Sequence, residues 1–84
     1  MTKQQIEEIV IEGLSNNLGC DKNSITLESK IVNDLGADSL DVIELIMKIE
    51  SKFDIQISDE EAEKFITVGN AVNYLDSIIN KQEN

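Results

Sequence analysis

Leu35-Gly36-Ala37-Asp38-Ser39-Leu40-Asp41-Val42-Ile43-Glu44-Leu45-Ile46-Met47 is the most informative stretch of the chain. A glycine and an acidic residue stand just before a helical pattern that runs unbroken to about Ser51. Asp38 is a good N-cap, because its carboxylate can accept backbone N–H groups at the positive end of the helix dipole. At about 100° per residue, Val42, Leu45, Ile46, Ile49 and Phe53 share one arc about 100° wide, as a core-facing stripe should. Leu40, Ile43 and Met47 fall on a separate arc at spacing i, i+3, i+7. This second stripe has two readings. Either the helix is buried on two sides by its neighbours, or the stripe is an exposed partner surface. In the second case Asp41 and Glu44 rim one flank and Glu50 the other. Met47 suits a surface that accommodates several partners.

Upstream, Thr2 and Gln5 form a T-x-x-Q capping box. Ile6, Ile9, Val10, Leu14 and Leu18 follow at helical spacing, so a first helix is predicted over about residues 3–17, ended by Gly19. Residues 19–37 are less periodic. Ile25, Leu27, Ile31 and Leu35 act as apolar anchors in a long loop with room for a short helical turn. Such a loop is either functional or the crossover that parallel helices require; both readings stay open. Downstream, Ser58-Asp59-Glu60-Glu61 is a capping box that opens a short third helix near 59–64. Thr67 caps a fourth over about 68–80, with Val68, Ala71, Val72, Leu75, Ile78 and Ile79 facing inward. The expected architecture is all-α. It is a small four-helix bundle in a single domain over 1–84, with a long loop between helices one and two and a short third helix.

Composition narrows the function. The 84 residues hold 17 acids, seven lysines and no arginine, a net charge of −10. Nucleic acid and anionic membranes are poor partners for such a surface. No apolar run approaches the roughly 18 residues of a membrane span, and the N-terminus has no hydrophobic signal segment. A cytoplasmic monomer without stable membrane association is expected. The absence of His removes the usual neutral-pH base and the commonest zinc ligand. Cys20 is alone, so neither an intramolecular disulfide nor a thiolate cluster can form, and no metal site is expected. Cys20 itself reads as a small, partly buried apolar residue.

A serine at a helix start is usually a cap, but here Asp38 can cap and Ser39 is free. A nucleophilic serine needs an adjacent base. The chain has no His, and the lysines nearest in sequence are Lys30 and Lys48. A self-sufficient enzyme is therefore not expected, and no catalytic residue is assigned. A serine modified by another enzyme needs only exposure at a helix end and a recognisable acidic surround.

The segment Asp34-Leu35-Gly36-Ala37-Asp38-Ser39-Leu40-Asp41 closely resembles the attachment site of acyl carrier proteins. Val42 to Met47 and Phe53-Asp54-Ile55-Gln56-Ile57-Ser58-Asp59-Glu60-Glu61-Ala62-Glu63 also resemble that family, and the match covers essentially the whole chain. The resemblance implies that Ser39 bears 4′-phosphopantetheine through a phosphodiester, installed from coenzyme A by a phosphopantetheinyl transferase. It implies a carrier of acyl chains as thioesters in type II fatty acid biosynthesis. Such a carrier is served by acyltransferases, ketoacyl synthases, reductases and dehydratases. By the same resemblance Asp38, Asp41, Glu44 and Glu50 meet basic patches on partner enzymes, while Leu40, Ile43 and Met47 supply apolar contact. Such interfaces should be weak and salt-sensitive. Lys48 and Lys52 depart from the familiar pattern of fatty-acid carriers and weaken the acidic field at the far end of the helix. Ser58 stands where a proline is common and can cap equally well.

Other readings are a specialised carrier for polyketide, aminoacyl or other lipid chemistry, and an acidic helix-binding adaptor without a prosthetic group. A calcium-binding loop starting at Asp21-Lys22-Asn23 fails, because its twelfth position is Val32 rather than Glu. Weak divalent binding by Asp59, Glu60, Glu61 and Glu63 would show as a melting temperature raised by calcium or magnesium. The charge itself is uneven. Residues 34–63 hold ten acids and two lysines, a local charge of −8, which leaves −2 for the other 54 residues. The acidity therefore marks the segment around Ser39 and points to basic partner surfaces.

Overall fold

The computed structural model describes residues 1–80. Thr2 Oγ1 accepts the Gln5 N–H at 3.1 Å and Gln5 Oε1 accepts the Thr2 N–H at 2.9 Å. This capping box satisfies two donors that would otherwise be orphaned at a helix start. Helix α1 then runs over Lys3–Leu18 and buries Ile6, Val10 and Leu14. Gly19 ends it in the left-handed conformation, φ 70°, with its N–H donating to the Ser15 carbonyl at 2.8 Å; a residue without Cβ takes that conformation freely.

A long loop follows, over residues 20–38. Asp21 caps a single 3₁₀ turn, Lys22–Ser24. Ile25 and Ile31 are buried, and Leu27, Leu35 and Cys20 pack half-buried against the core. The four expected anchors thus hold the loop down. It is also tied by its backbone. The Ile31 N–H donates to the Ile66 carbonyl (2.9 Å), the Val68 N–H to Ser29 (3.0 Å) and the Gly69 N–H to Leu27 (2.8 Å). These bonds surround an isolated antiparallel bridge between Lys30 and Thr67. The loop is clamped to the start of the last helix, but it is not the crossover that parallel helices require. Asn17, near the end of α1, donates to the Asp41 carbonyl, and Gly13 faces Leu45, so the helix after the loop runs antiparallel to α1.

Helix α2 spans Ser39–Phe53, α3 spans Asp59–Ala62 and α4 spans Val68–Ile79. Each begins at its expected cap, Asp38, Ser58 and Thr67, but the box expected at Ser58 is only half formed: Ser58 accepts the Glu61 N–H, while the Glu61 carboxylate pairs with Lys64 instead of reaching back. Helix α2 runs two residues past Ser51, because Phe53 still packs against the core and Asp54, at φ 54°, closes the helix. Helix α3 is shorter than expected. After Ala62 the chain turns so that Ile66 can reach Ile31. Helix α1 packs against both α2 and α4. The core joins its three buried residues to Leu45, Ile46 and Ile49 of α2 and to Val68, Ala71, Val72 and Leu75 of α4. Ile57 and Phe65, on either side of α3, complete it, and Phe65 meets Tyr74 edge-on at 5.4 Å. Burial of each large aliphatic side chain contributes roughly 1.5–3 kcal/mol. Ile78 departs from the expected inward set. It is half-buried without packing on the core, whereas Ile79, also half-buried, does pack against it.

Candidate functional site

Each residue before α2 has a local task. The Asp34 carboxylate accepts the Lys30 N–H at 2.8 Å and closes the turn that precedes the site. Gly36 adopts φ 75°, which a side chain would disfavour. This turns Ala37 into the core, at 4% exposure, and leaves Asp38 at the helix start. Asp38 Oδ1 accepts the Asp41 N–H at 2.9 Å, and Asp41 Oδ2 accepts the Asp38 N–H at 3.1 Å. Two acids thus form a full capping box. In the sequence Asp41 reads only as a partner contact, because the familiar S/T-x-x-E/Q template does not flag an Asp-x-x-Asp pair.

With the cap supplied, Ser39 occupies the first helical position, exposed. Its hydroxyl makes no hydrogen bond among the described residues. Leu40, Ile43 and Met47 are 62%, 53% and 61% exposed. The second stripe therefore faces solvent, and the reading of a helix buried on two sides is set aside. Val32 and Ile66 extend the exposed apolar area from the neighbouring segments. Glu44 is exposed beside the stripe and Asp41 is half-buried at its start. No lysine pairs with Asp38, Asp41 or Glu44 among the described residues, so their charge is available to a partner.

Glu50 is placed differently. It is half-buried, and Glu50 Oε2 accepts the Ile57 N–H at 2.8 Å. One of its oxygens is thus committed to the fold. Lys48 donates from Nζ to Asn17 Oδ1 at 3.0 Å, which draws it towards α1. Beside Ser39 an open cleft of about 600 Å³ lies between α2 and α3. Val42, Ile43 and Ile46 line one wall, Ala62 and Phe65 the other, and Lys30 stands at the edge. The described residues contain no group of three or more carboxylate or thiol side chains able to hold a metal ion. None of their helices is long and apolar enough to cross a membrane.

The family profile described as "Phosphopantetheine attachment site" matches residues 8–75. The acyl carrier protein of Chlorobium phaeobacteroides is 51% identical over 75 residues, which is 89% of this chain and 96% of that protein. The chain belongs to the acyl carrier protein family. The acyl carrier protein of an Exiguobacterium species is also 51% identical, over 92% of this chain and 98% of its own length. The solved structure of the acyl carrier protein from Enterococcus faecalis superposes with a TM-score of 0.79 at 39% identity, covering 92% of this chain and 98% of that one.

As an acyl carrier protein the chain is a carrier and not an enzyme, and its prosthetic group is 4′-phosphopantetheine. The residues present fit that group. A long phosphodiester-linked arm needs a hydroxyl that is exposed and not engaged elsewhere, next to a surface that can take apolar matter. Ser39 and the adjoining cleft provide both.

Proposed function

We propose that the chain carries acyl groups between the separate enzymes of type II fatty acid synthesis, with 4′-phosphopantetheine attached at Ser39. The observation that carries this reading is the exposed, unbonded hydroxyl of Ser39 at the first position of α2, beside the cleft and the apolar stripe. When attached, the group supplies a terminal thiol that holds acyl chains as thioesters. The chain's own residues do the rest. The Asp38–Asp41 box fixes the turn that presents the serine. The acidic surface steers basic enzymes towards it, and Leu40, Ile43 and Met47 add contact area once they meet. Encounter by exposed charge should be fast and salt-dependent, and the small apolar contact should release quickly. Asp38, Asp41 and Glu44 are assigned to that docking surface, with the free oxygen of Glu50 at its far end.

The same surface suits a phosphopantetheinyl transferase, which must reach Ser39 before any other partner, and then the acyltransferases, ketoacyl synthases, reductases and dehydratases. The residues 1–84 act as one such carrier unit in the cytoplasm. The test is reconstitution. The loaded chain is supplied as sole carrier to a purified set of dissociated fatty acid synthesis enzymes, with malonyl groups and reductant. Chain elongation supports the reading. A carrier that takes the prosthetic group but is not elongated, while a control carrier is, overturns the assignment to this pathway.

A further inference from the structure

Glu50 organises the whole connection from α2 to α3. Its backbone carbonyl accepts the N–H of Asp54, which closes α2, and the N–H of Ile55 at 3.2 Å. Its side-chain Oε2 accepts the N–H of Ile57 at 2.8 Å. A single residue therefore takes three amide protons from the four residues that follow α2. Ile57 is the buried anchor of that connection, at 8% exposure, and the next residue, Ser58, caps α3 through the Glu61 N–H at 3.2 Å.

Helix α3 depends on such support. It has four residues, too few to persist as an isolated helix. Asp59, Glu60, Glu61 and Glu63 crowd like charges within it or at its end, and Lys64 pairs with Glu61 alone, at 3.4 Å and exposed. Its hold on the core is limited to half-buried Ala62 and to the buried residues that bracket it, Ile57 and Phe65. Yet Asp59, Ala62 and Glu63 form the wall of the cleft opposite Ser39, Val42 and Ile46.

We propose that Glu50 is a positioning residue: its carboxylate anchors Ile57 and thereby fixes the α3 wall of the cleft beside Ser39. The relevance of that wall to a carried chain rests on the attachment at Ser39 proposed above. A carboxylate is suited to this role, because a hydrogen bond to a charged acceptor is about twice as strong as a neutral one. Glu50 thus combines support of the fold with a place at the end of the docking surface. A partner's cation that competes for its carboxylate would loosen the same wall.

Amide hydrogen exchange, followed by NMR on the full chain without its prosthetic group, tests this. Glu50→Ala should speed exchange at Ile57, Ala62 and Glu63 by roughly ten- to a hundredfold, the loss expected for a charge-assisted bond. Glu50→Gln keeps a side-chain oxygen as acceptor and should recover at least half of that effect on a logarithmic scale. Ile6→Val, a control in α1, should speed exchange in α1 and α4 and leave the three α3-side amides as in the wild type. The proposal is overturned if Glu50→Ala leaves those amides within about twofold of wild type. It is equally overturned if Gln is no better than Ala, or if Ile6→Val accelerates them as much as Glu50→Ala does. Because the unmodified chain is used, a failure of Ser39 to take phosphopantetheine bears on the attachment reading alone, and the exchange pattern on Glu50 alone.

Discussion

Replacing Asp38 by alanine tests how the site is held in place. The substitution removes the acceptor of the Asp41 N–H, a 2.9 Å bond, and dissolves one half of the capping box. Loss of an N-cap side chain costs about 1 kcal/mol, with a range of roughly 0.5–2. Loss of a charge at the positive helix end adds about 0.3–1 kcal/mol, here at the low end because Asp41 remains in the first turn. Asp38 is exposed, so no buried group is stranded. Relief of repulsion in a chain of net charge −10 works in the opposite direction. Asp38→Asn controls for it, because Asn loses the same charge and keeps the cap. The expected losses are about 1–1.5 kcal/mol for Ala and about 0.5 for Asn. For a domain of this size each kcal/mol lowers the melting temperature by roughly 4–8 °C. Urea unfolding followed by far-UV circular dichroism measures both, since the chain has no Trp. An Ala variant within about 0.3 kcal/mol of wild type, or Ala and Asn variants of equal stability, would refute the reasoning.

Two glycines should respond in opposite directions to alanine. At Gly69 a Cβ would lie 3.0 Å from the Leu27 carbonyl oxygen, which is backbone and already bonded to the Gly69 N–H; a net loss of about 1 kcal/mol is expected despite the better helix propensity. At Gly13 the nearest atom is Leu45 Cδ1 at 3.6 Å, an ordinary contact, so Gly13→Ala should gain about 0.5–1 kcal/mol in the same unfolding assay. Met47→Ala, at 61% exposure, should change stability by less than about 0.5 kcal/mol while weakening binding to a ketoacyl synthase in calorimetry. Leu45→Ala, two residues away at 2% exposure, should cost about 2–5 kcal/mol.

The elements of the fold were legible wherever the signal was local. Thr2, Asp38, Ser58 and Thr67 each announce a helix start by side-chain chemistry within three residues. The separation of Leu40, Ile43 and Met47 from the core stripe followed from periodicity, and exposure then chose between its two readings. What stayed hidden is non-local. Nothing near Leu27, Ser29 or Ile31 indicates that these residues bond to Gly69, Val68 and Ile66, about forty positions away. The half-burial of Glu50 was hidden for the same reason. On a helical wheel it is simply another acid, and only the return of Ile57 to the core gives its carboxylate a structural partner. Asp41 shows the limit of a motif template, because a shorter acid did the work assigned to Glu or Gln.

The central claim is that Ser39 alone bears the prosthetic group. Wild-type chain is incubated with coenzyme A, magnesium and a broad-specificity phosphopantetheinyl transferase, and the product is fragmented in a mass spectrometer. The expected product gains one phosphopantetheine, located on Ser39, and Ser39→Ala gains none. A group found on another residue, or an unmodified wild-type chain beside a modified control carrier, would contradict the claim.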